Sequence, residues 1–283
     1  MRLSCSDYTW PLLPHAAVLD LVAAMGFPAV DIGFMTNRSH VRPELVAAAP
    51  VVAARQLAAE LERRNLAVAD VFAIPAEDFA SASLNNPDPA EQARSLEFFR
   101  TALAFAEALG SPGLTTLPGT EFPGDSFSAA LERSARGLRQ RVEMAGERGL
   151  AVSVEAHVGS LVPSVDKARE LLDAVPGLTL TLDYGHLVCL GEDQARVHEL
   201  LPSARHLQCR AAQVGQLQVP VVDDLIDFDD VVARLAAQAY SGYLAVEYTW
   251  QEWMGCNRVD TIAETVQMKD RLQAAIGRSA SAR

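Results

Sequence analysis

The sequence predicts a single (β/α)8 barrel, on three observations. Eight short apolar runs alternate with longer amphipathic stretches across 283 residues, the rhythm of a parallel sheet with crossover helices. No linker divides the chain, so residues 1–277 read as one barrel and residues 278–283 as a disordered tail. A doubly wound open sheet, the rival reading, would normally carry a glycine fingerprint after its first strand. The sequence there is Thr9-Trp-Pro-Leu-Leu-Pro14, which has no such glycines.

In order, Arg2–Ser6 reads as the first strand, followed by a helix over about 14–25 that ends at Gly26. Ala29-Val-Asp-Ile-Gly-Phe34 is the second strand, and Pro43 opens a long alanine- and leucine-rich helix to about Arg64. Val68–Ile74 is the third strand, stopped by Pro75, and residues 76–89 form a loop over its end. A helix over about 90–109 leads to strand four, Leu114–Leu117. A second loop, 118–126, and a helix over about 127–148 follow. Both loops are expected to lid the site. Strand five is Ala151–His157, and Ser164 caps a helix to Ala174. Leu178-Thr-Leu-Thr-Leu-Asp-Tyr-Gly-His-Leu187 is a strand that ends in a carboxylate, a glycine and an imidazole, with Tyr184-Gly185 turning His186 back toward Asp183. A short helix at about 193–201 leads to strand seven, Arg205–Arg210. A helix at about 228–239, strand eight, Tyr243–Tyr248, and a last helix over about 259–276 complete the alternation.

Composition narrows the function. Hydrophobic residues make up 49% of the chain, enough for a large core. A formal charge of -12 argues against nucleic acid, whose phosphates need a basic surface. No stretch of 18 apolar residues reads as a membrane span, and Met1–Asp7 lacks the apolar core of a signal peptide. The four cysteines form no C-x-x-C pair and read as reduced thiols, so a cytoplasmic location is expected.

The chemistry lies at the strand ends, because the carboxyl ends of barrel strands converge on one mouth. On strands five to eight that position is held by Glu155, Asp183, Gln208 and Glu247. Three carboxylates aimed at one small space repel one another, and a divalent cation held by oxygen ligands removes the conflict. His157, two beyond Glu155, can reach a ligand at the rim, and His186 follows Asp183. His206 points inward one layer deeper, either toward substrate or onto a neighbouring carboxylate. Arg210 faces the mouth as a substrate contact or as an ion pair with the site's own carboxylates. His15, His40 and His198 read as surface residues. Trp250 and Trp253 wall the site or pack on the last helix.

Val-Glu-Ala-His157, Leu-Asp-Tyr-Gly-His186, His-Leu-Gln-Cys-Arg210 and Ala-Val-Glu-Tyr248 together resemble the xylose isomerase-like barrel superfamily. More narrowly, the chain is similar to its sugar phosphate isomerase/epimerase group, which includes hydroxypyruvate isomerase, ketose 3-epimerases and inosose dehydratase. The resemblance implies one divalent metal ion (manganese, magnesium, zinc or cobalt) held by Glu155, Asp183, Gln208 and Glu247. Gln208 replaces the family's usual ligand histidine, and Arg210 stands where a lysine is common. It implies an isomerase or epimerase of a small hydroxy-carbonyl compound (a sugar, sugar acid or sugar phosphate) working through an enediolate. Glu155 and Glu247 would be the acid/base pair, with His186, Arg210, His157 and His206 as substrate contacts. Two alternatives stay open: a keto-polyol dehydratase on the same site, and an inactive barrel serving as a binding module. The expected partner is a small carbohydrate-like molecule, with neither nucleic acid nor membrane; the oligomeric state is open, a homodimer included.

Overall fold

The eight runs of apolar residues form eight strands that pair in chain order and close on themselves. In the computed structural model, which describes residues 1–281, these are β1 (Arg2–Ser6), β2 (Ala29–Met35), β3 (Ala67–Ile74), β4 (Gly113–Thr116), β5 (Ala151–Glu155), β6 (Thr179–Asp183), β7 (Ala204–Cys209) and β8 (Tyr243–Val246). All neighbouring pairs are parallel, and β8 closes the barrel against β1 with Arg2 opposite Tyr243 and Cys5 opposite Val246. Between the strands run α1 (His15–Ala24), α2 (Pro43–Val46), α3 (Pro50–Glu62), α4 (Pro89–Leu109), α5 (Phe127–Gly146) and α6 (Val165–Ala174). They are followed by α7 (Tyr184–Cys189), α8 (Gln194–Val197), α9 (Phe228–Ala237) and α10 (Thr261–Ser281). None of these helices is long and apolar enough to cross a membrane.

Two expectations change. The helix expected over 43–64 is two helices, because Pro50 lacks an N–H and sits in the first turn of α3 instead of continuing α2. The last helix does not stop at Ile276. It runs on through Gly277, so residues 278–281 of the expected tail are helical, while 282–283 lie outside the described residues. A single glycine costs a helix only about 1 kcal/mol, too little to end one that is otherwise continuous.

The apolar core lies between barrel and helices. Outward-facing strand residues such as Ile32, Val71, Leu114, Val154, Leu182 and Val246 are fully buried there. Phe34 packs on Phe105 of α4 with ring centroids 4.9 Å apart. Each such side chain contributes roughly 1.5–3 kcal/mol by leaving water. All four cysteines are buried free thiols.

The barrel interior is built differently. His206 on β7 bonds Asp31 on β2 at 2.6 Å, and Ser4 on β1 donates to the other oxygen of Asp31 at 2.8 Å. Arg205 reaches from β7 to Asp70 on β3 at 2.7 Å and to Ser153 on β5 at 2.8 Å. Thr115 on β4 donates to Asp70 and meets Thr181 on β6. Apart from β1–β2 and β3–β4, none of these strand pairs is adjacent, so the remaining contacts span the lumen. They form polar rungs where barrels more often stack branched hydrocarbons. The His206 reading therefore resolves in favour of the neighbouring carboxylate: it is 1% exposed and serves as a strut, not as a substrate contact.

Breaking a buried pair leaves an uncompensated charge, which typically costs ~3–5 kcal/mol. Arg205→Met is therefore expected to lower unfolding free energy in urea by about 3 kcal/mol, whereas Asp70→Leu/Arg205→Met should lose less than the single variant. A double variant that loses the sum of the two single losses would show that the pair is not coupled.

Candidate active site

Each residue of the mouth is delivered by the end of a strand. Glu155 is the last residue of β5 and Asp183 the last of β6. Asp183 stands opposite Gln208 in the β6–β7 register, and Glu247 directly follows β8. Chain direction changes at once after β6. Asp183 Oδ1 accepts from Gly185 N at 2.7 Å, capping α7, so His186 falls one helical turn beyond Asp183 on the same side. The return of His186 is thus a helix and not the expected turn. Gly185 is required by close approach: a Cβ there would lie 2.9 Å from Asp183 Oδ1 and 3.1 Å from Arg210 Cγ. His157 lies beyond the strand, which ends at Glu155, yet its Nε2 still comes within 3.9 Å of Glu155 Oε2.

Glu155, Asp183 and Glu247 each place an oxygen within 4.8 Å of the others, all buried. Arg210 lies among them. Its Nε and Nη2 donate to Asp183 Oδ2 at 2.8 and 2.5 Å, and Nη2 stands 3.3 Å from Glu247 Oε2. Of the two readings of Arg210, the ion pair is the one formed. One guanidinium cannot satisfy three carboxylates. Both Glu155 oxygens, Glu247 Oε2 and Gln208 Oε1 are buried without a hydrogen-bond partner. A hard divalent cation would satisfy such a set of orphaned oxygens. The residues therefore fit the metal that the strand-end pattern suggests, with Gln208 able to offer Oε1 because its Nε2 is spent on Tyr8 OH at 3.0 Å.

The protonation pattern carries the same strain. Burial pushes the Glu155 carboxyl up to about 7, against the pull of His157. Glu247 is also raised, by burial and by Glu155 and Asp183, with Arg210 opposing. Burial works against the charge of Arg210, but Asp183 and Glu247 outweigh it and keep the guanidinium protonated. His157 and His186 are each lowered to about 3, chiefly by burial, so both rings are neutral. His186 Nδ1 accepts from Val158 N at 3.3 Å, which leaves the proton on Nε2, 3.4 Å from Glu155 Oε1 and 3.6 Å from Asp183 Oδ2. His157 Nδ1 donates to Val158 O at 2.5 Å, so its Nε2 presents a lone pair toward Glu155. A lone pair facing a carboxylate is tolerable when a proton or a cation stands between them.

Above this polar floor opens a cavity of about 400 Å³. Its walls are largely aromatic and aliphatic, with Arg38, Glu77, Thr249 and Gln251 among them. Trp253 stacks on His157 (centroids 5.2 Å apart, planes 16° apart), Phe79 meets both edge-on, and Tyr8, Phe72 and Ile74 face them. Of the two tryptophans considered as walls, both line the cavity. Glu77 and Phe79 bring the 76–89 loop into it, but the 118–126 loop, expected as a second lid, contributes no lining residue. That loop is tied to the first instead, through Asn85 Nδ2 donating to Thr120 O at 2.7 Å.

Three histidines expected at the surface are partly or largely buried. His198 bonds Tyr184 OH at 2.9 Å and Asp230 at 2.9 Å. His15 pairs with Asp7 at 2.9 Å and stacks on His40. Tyr8 has no local signature, since a tyrosine after a first strand carries no pattern of its own; it orients Gln208 and lines the cavity.

Residues 19–272 match a family model described as the xylose isomerase-like TIM barrel. The chain is 30% identical over 138 residues to an inosose dehydratase of Bacillus anthracis, a match covering 41% of this chain and 46% of that protein. It spans less than half the length of the inosose dehydratases it matches. It is 25% identical over 203 residues to an L-ribulose-5-phosphate 3-epimerase, UlaE, of Shigella sonnei, covering 69% of each. Among solved structures, the IolI protein with a binding zinc atom superposes with a TM-score of 0.75 at 16% identity, covering 99% of both chains, a likeness of fold. The match to the family model takes in nearly the whole barrel, from α1 into α10, and the chain belongs to the xylose isomerase-like TIM barrel family.

Proposed function

We propose that the chain is a divalent-metal-dependent isomerase or epimerase of a small hydroxy-carbonyl compound: a sugar, a sugar acid or a sugar phosphate. The observation that carries this reading is the set of buried oxygens without a hydrogen bond on Glu155, Glu247 and Gln208: the two glutamates line the cavity, Asp183 brings an oxygen within 4.8 Å of theirs, and Gln208 stands opposite Asp183 in the β6–β7 register. Glu155, Asp183, Gln208 and Glu247 would hold the cation. When bound, it would polarise the carbonyl and offset the negative charge of an enediolate. The acid/base work falls to the two glutamates. One takes the proton from the carbon beside the carbonyl, the C–H electrons forming the enediolate double bond, and the other returns a proton to the opposite face or to the neighbouring carbon. A carboxyl held near neutrality, as Glu155 is, suits both directions of transfer. The neutral His186 offers its Nε2–H to a substrate oxygen, and Arg210 stays fixed on Asp183 while keeping its positive field over the reacting atoms. His157, Trp253 and Phe79 form a wall that excludes water from the reacting carbon and can stack on the apolar face of a sugar.

A dehydratase reading of the same site is favoured by the inosose dehydratase relatives. It shares the proton abstraction and differs in expelling a β-hydroxyl, so a product one water lighter than its substrate would replace the first reading with the second. Binding without turnover would instead point to the inactive-barrel alternative.

Two outcomes are expected. Glu155→Gln and Glu247→Gln should each slow exchange of solvent deuterium into substrate by at least about a hundredfold while circular dichroism stays native; retained exchange would sink the acid/base assignment. Metal affinity should rise with pH. Ionised Glu155 binds the cation, protonated Glu155 does not, and the folded carboxyl releases its proton near 7. Apparent affinity should therefore fall at least about tenfold per pH unit below 7, with the raised Glu247 carboxyl adding to the slope. Manganese titrations of chelator-treated protein between pH 5.5 and 8.5 measure this slope, and a flat profile would contradict it.

A further inference from the structure

A second cavity, of about 300 Å³, lies between α4 and α5 and shares no lining residue with the mouth. Leu84, Pro89 and Leu96 form its apolar side, and Arg133, Arg136 and Arg141 its polar side. Among the described residues no acidic side chain lines it, in a chain whose net charge is -12.

The three guanidiniums are not equivalent. Arg133 is neutralised by Asp125 and donates to Asn85 O at 2.9 Å. Arg141 is 3% exposed and has only neutral partners: Gly137 O at 2.9 Å, Ser95 Oγ at 2.9 Å and the ring of Phe99 at 5.3 Å. Among the described residues no carboxylate pairs with it, and burial pulls it down to about 10. Arg136 is exposed and unpaired, although Glu132 lies one turn before it on α5. A buried cation without a counter-charge is costly and is normally paired. A methionine of similar length would pack on Phe99 without that cost. The guanidinium needs an anion that the folded chain does not supply.

We propose that this cavity binds a phosphate group, free or carried on a small molecule. Arg141 would grip it from the buried side and Arg136 would close over it from solvent. The planar fork of arginine suits tetrahedral oxyanions held by two parallel bonds, and the unpaired positive charges match a dianion. The proposal is independent of the chemistry at the mouth.

The test is calorimetric titration and thermal melting with inorganic phosphate and with glycerol 3-phosphate, against sodium chloride at matched ionic strength and glycerol alone. Wild type is expected to bind one equivalent and to melt several degrees higher at about 20 mM phosphate. Arg136→Glu, a surface change, should keep the melting temperature without phosphate and abolish the shift. Arg141→Lys should keep the charge but lose the fork and weaken binding at least about tenfold. Tighter binding of glycerol 3-phosphate than of phosphate assigns the site to an organic phosphate, and equal binding to the free ion. No shift in wild type, or an undiminished shift in Arg136→Glu, would overturn the proposal; the latter also covers phosphate lodged at the mouth beside Arg210. Because Arg136 is exposed, the result stands even if the Arg141 variant fails to fold.

Discussion

Three buried carboxylates crowd together at the base of one cavity, and much of the mouth can be understood as a response to that. Glu155, Asp183 and Glu247 stand close enough for their oxygens to fall within 4.8 Å, at positions where water cannot screen them. Arg210 is the guanidinium set among them, and its hydrogen bonds go to Asp183. Glu155 responds by holding its proton to about 7, and the histidines beside it stay neutral. What is left over is a set of buried oxygens without a hydrogen bond, and that surplus fits the site to a cation.

The interior below obeys the same economy of charge. Asp31 is matched by His206 and Ser4, and Asp70 by Arg205 and Thr115, so both carboxylates in the lumen are saturated while those at the mouth are not. This contrast separates support from chemistry. It also explains why His206, two residues before Gln208 on the same strand face, has a different role: one step toward the floor, the available partner is Asp31.

Much of this was legible in the amino-acid order. Strand periodicity and the punctuation by Gly26, Gly110, Gly149 and Gly242 located all eight strands to within a few residues, because alternate residues of each run form a largely apolar outer face that the helices bury. The four strand-end residues were legible for the same reason. Less legible was everything set by tertiary contact. Whether Arg210 meets substrate or carboxylate depends on where Asp183 points, and whether a loop lines the cavity depends on how far it folds over, as 76–89 does and 118–126 does not. Polar residues bonded across the lumen, such as Tyr8 and Asp31, leave no trace in local pattern, since their partners lie 200 and 175 positions away.

Those long separations have a consequence for how the molecule is made. Tyr8 belongs to the segment after the first strand and Gln208 to the seventh strand, and closure pairs the first strand with the eighth. Neither half of the chain holds the whole pocket, since residues 1–150 lack Glu155, Asp183, Gln208 and Glu247 and residues 151–281 lack Tyr8 and Asp31. Loop-closure entropy over such spans is offset only when the ring completes, so the last β-strand acts as a latch. A nascent chain would stay open, with raw strand edges at its first and latest strands, until that latch leaves the ribosome.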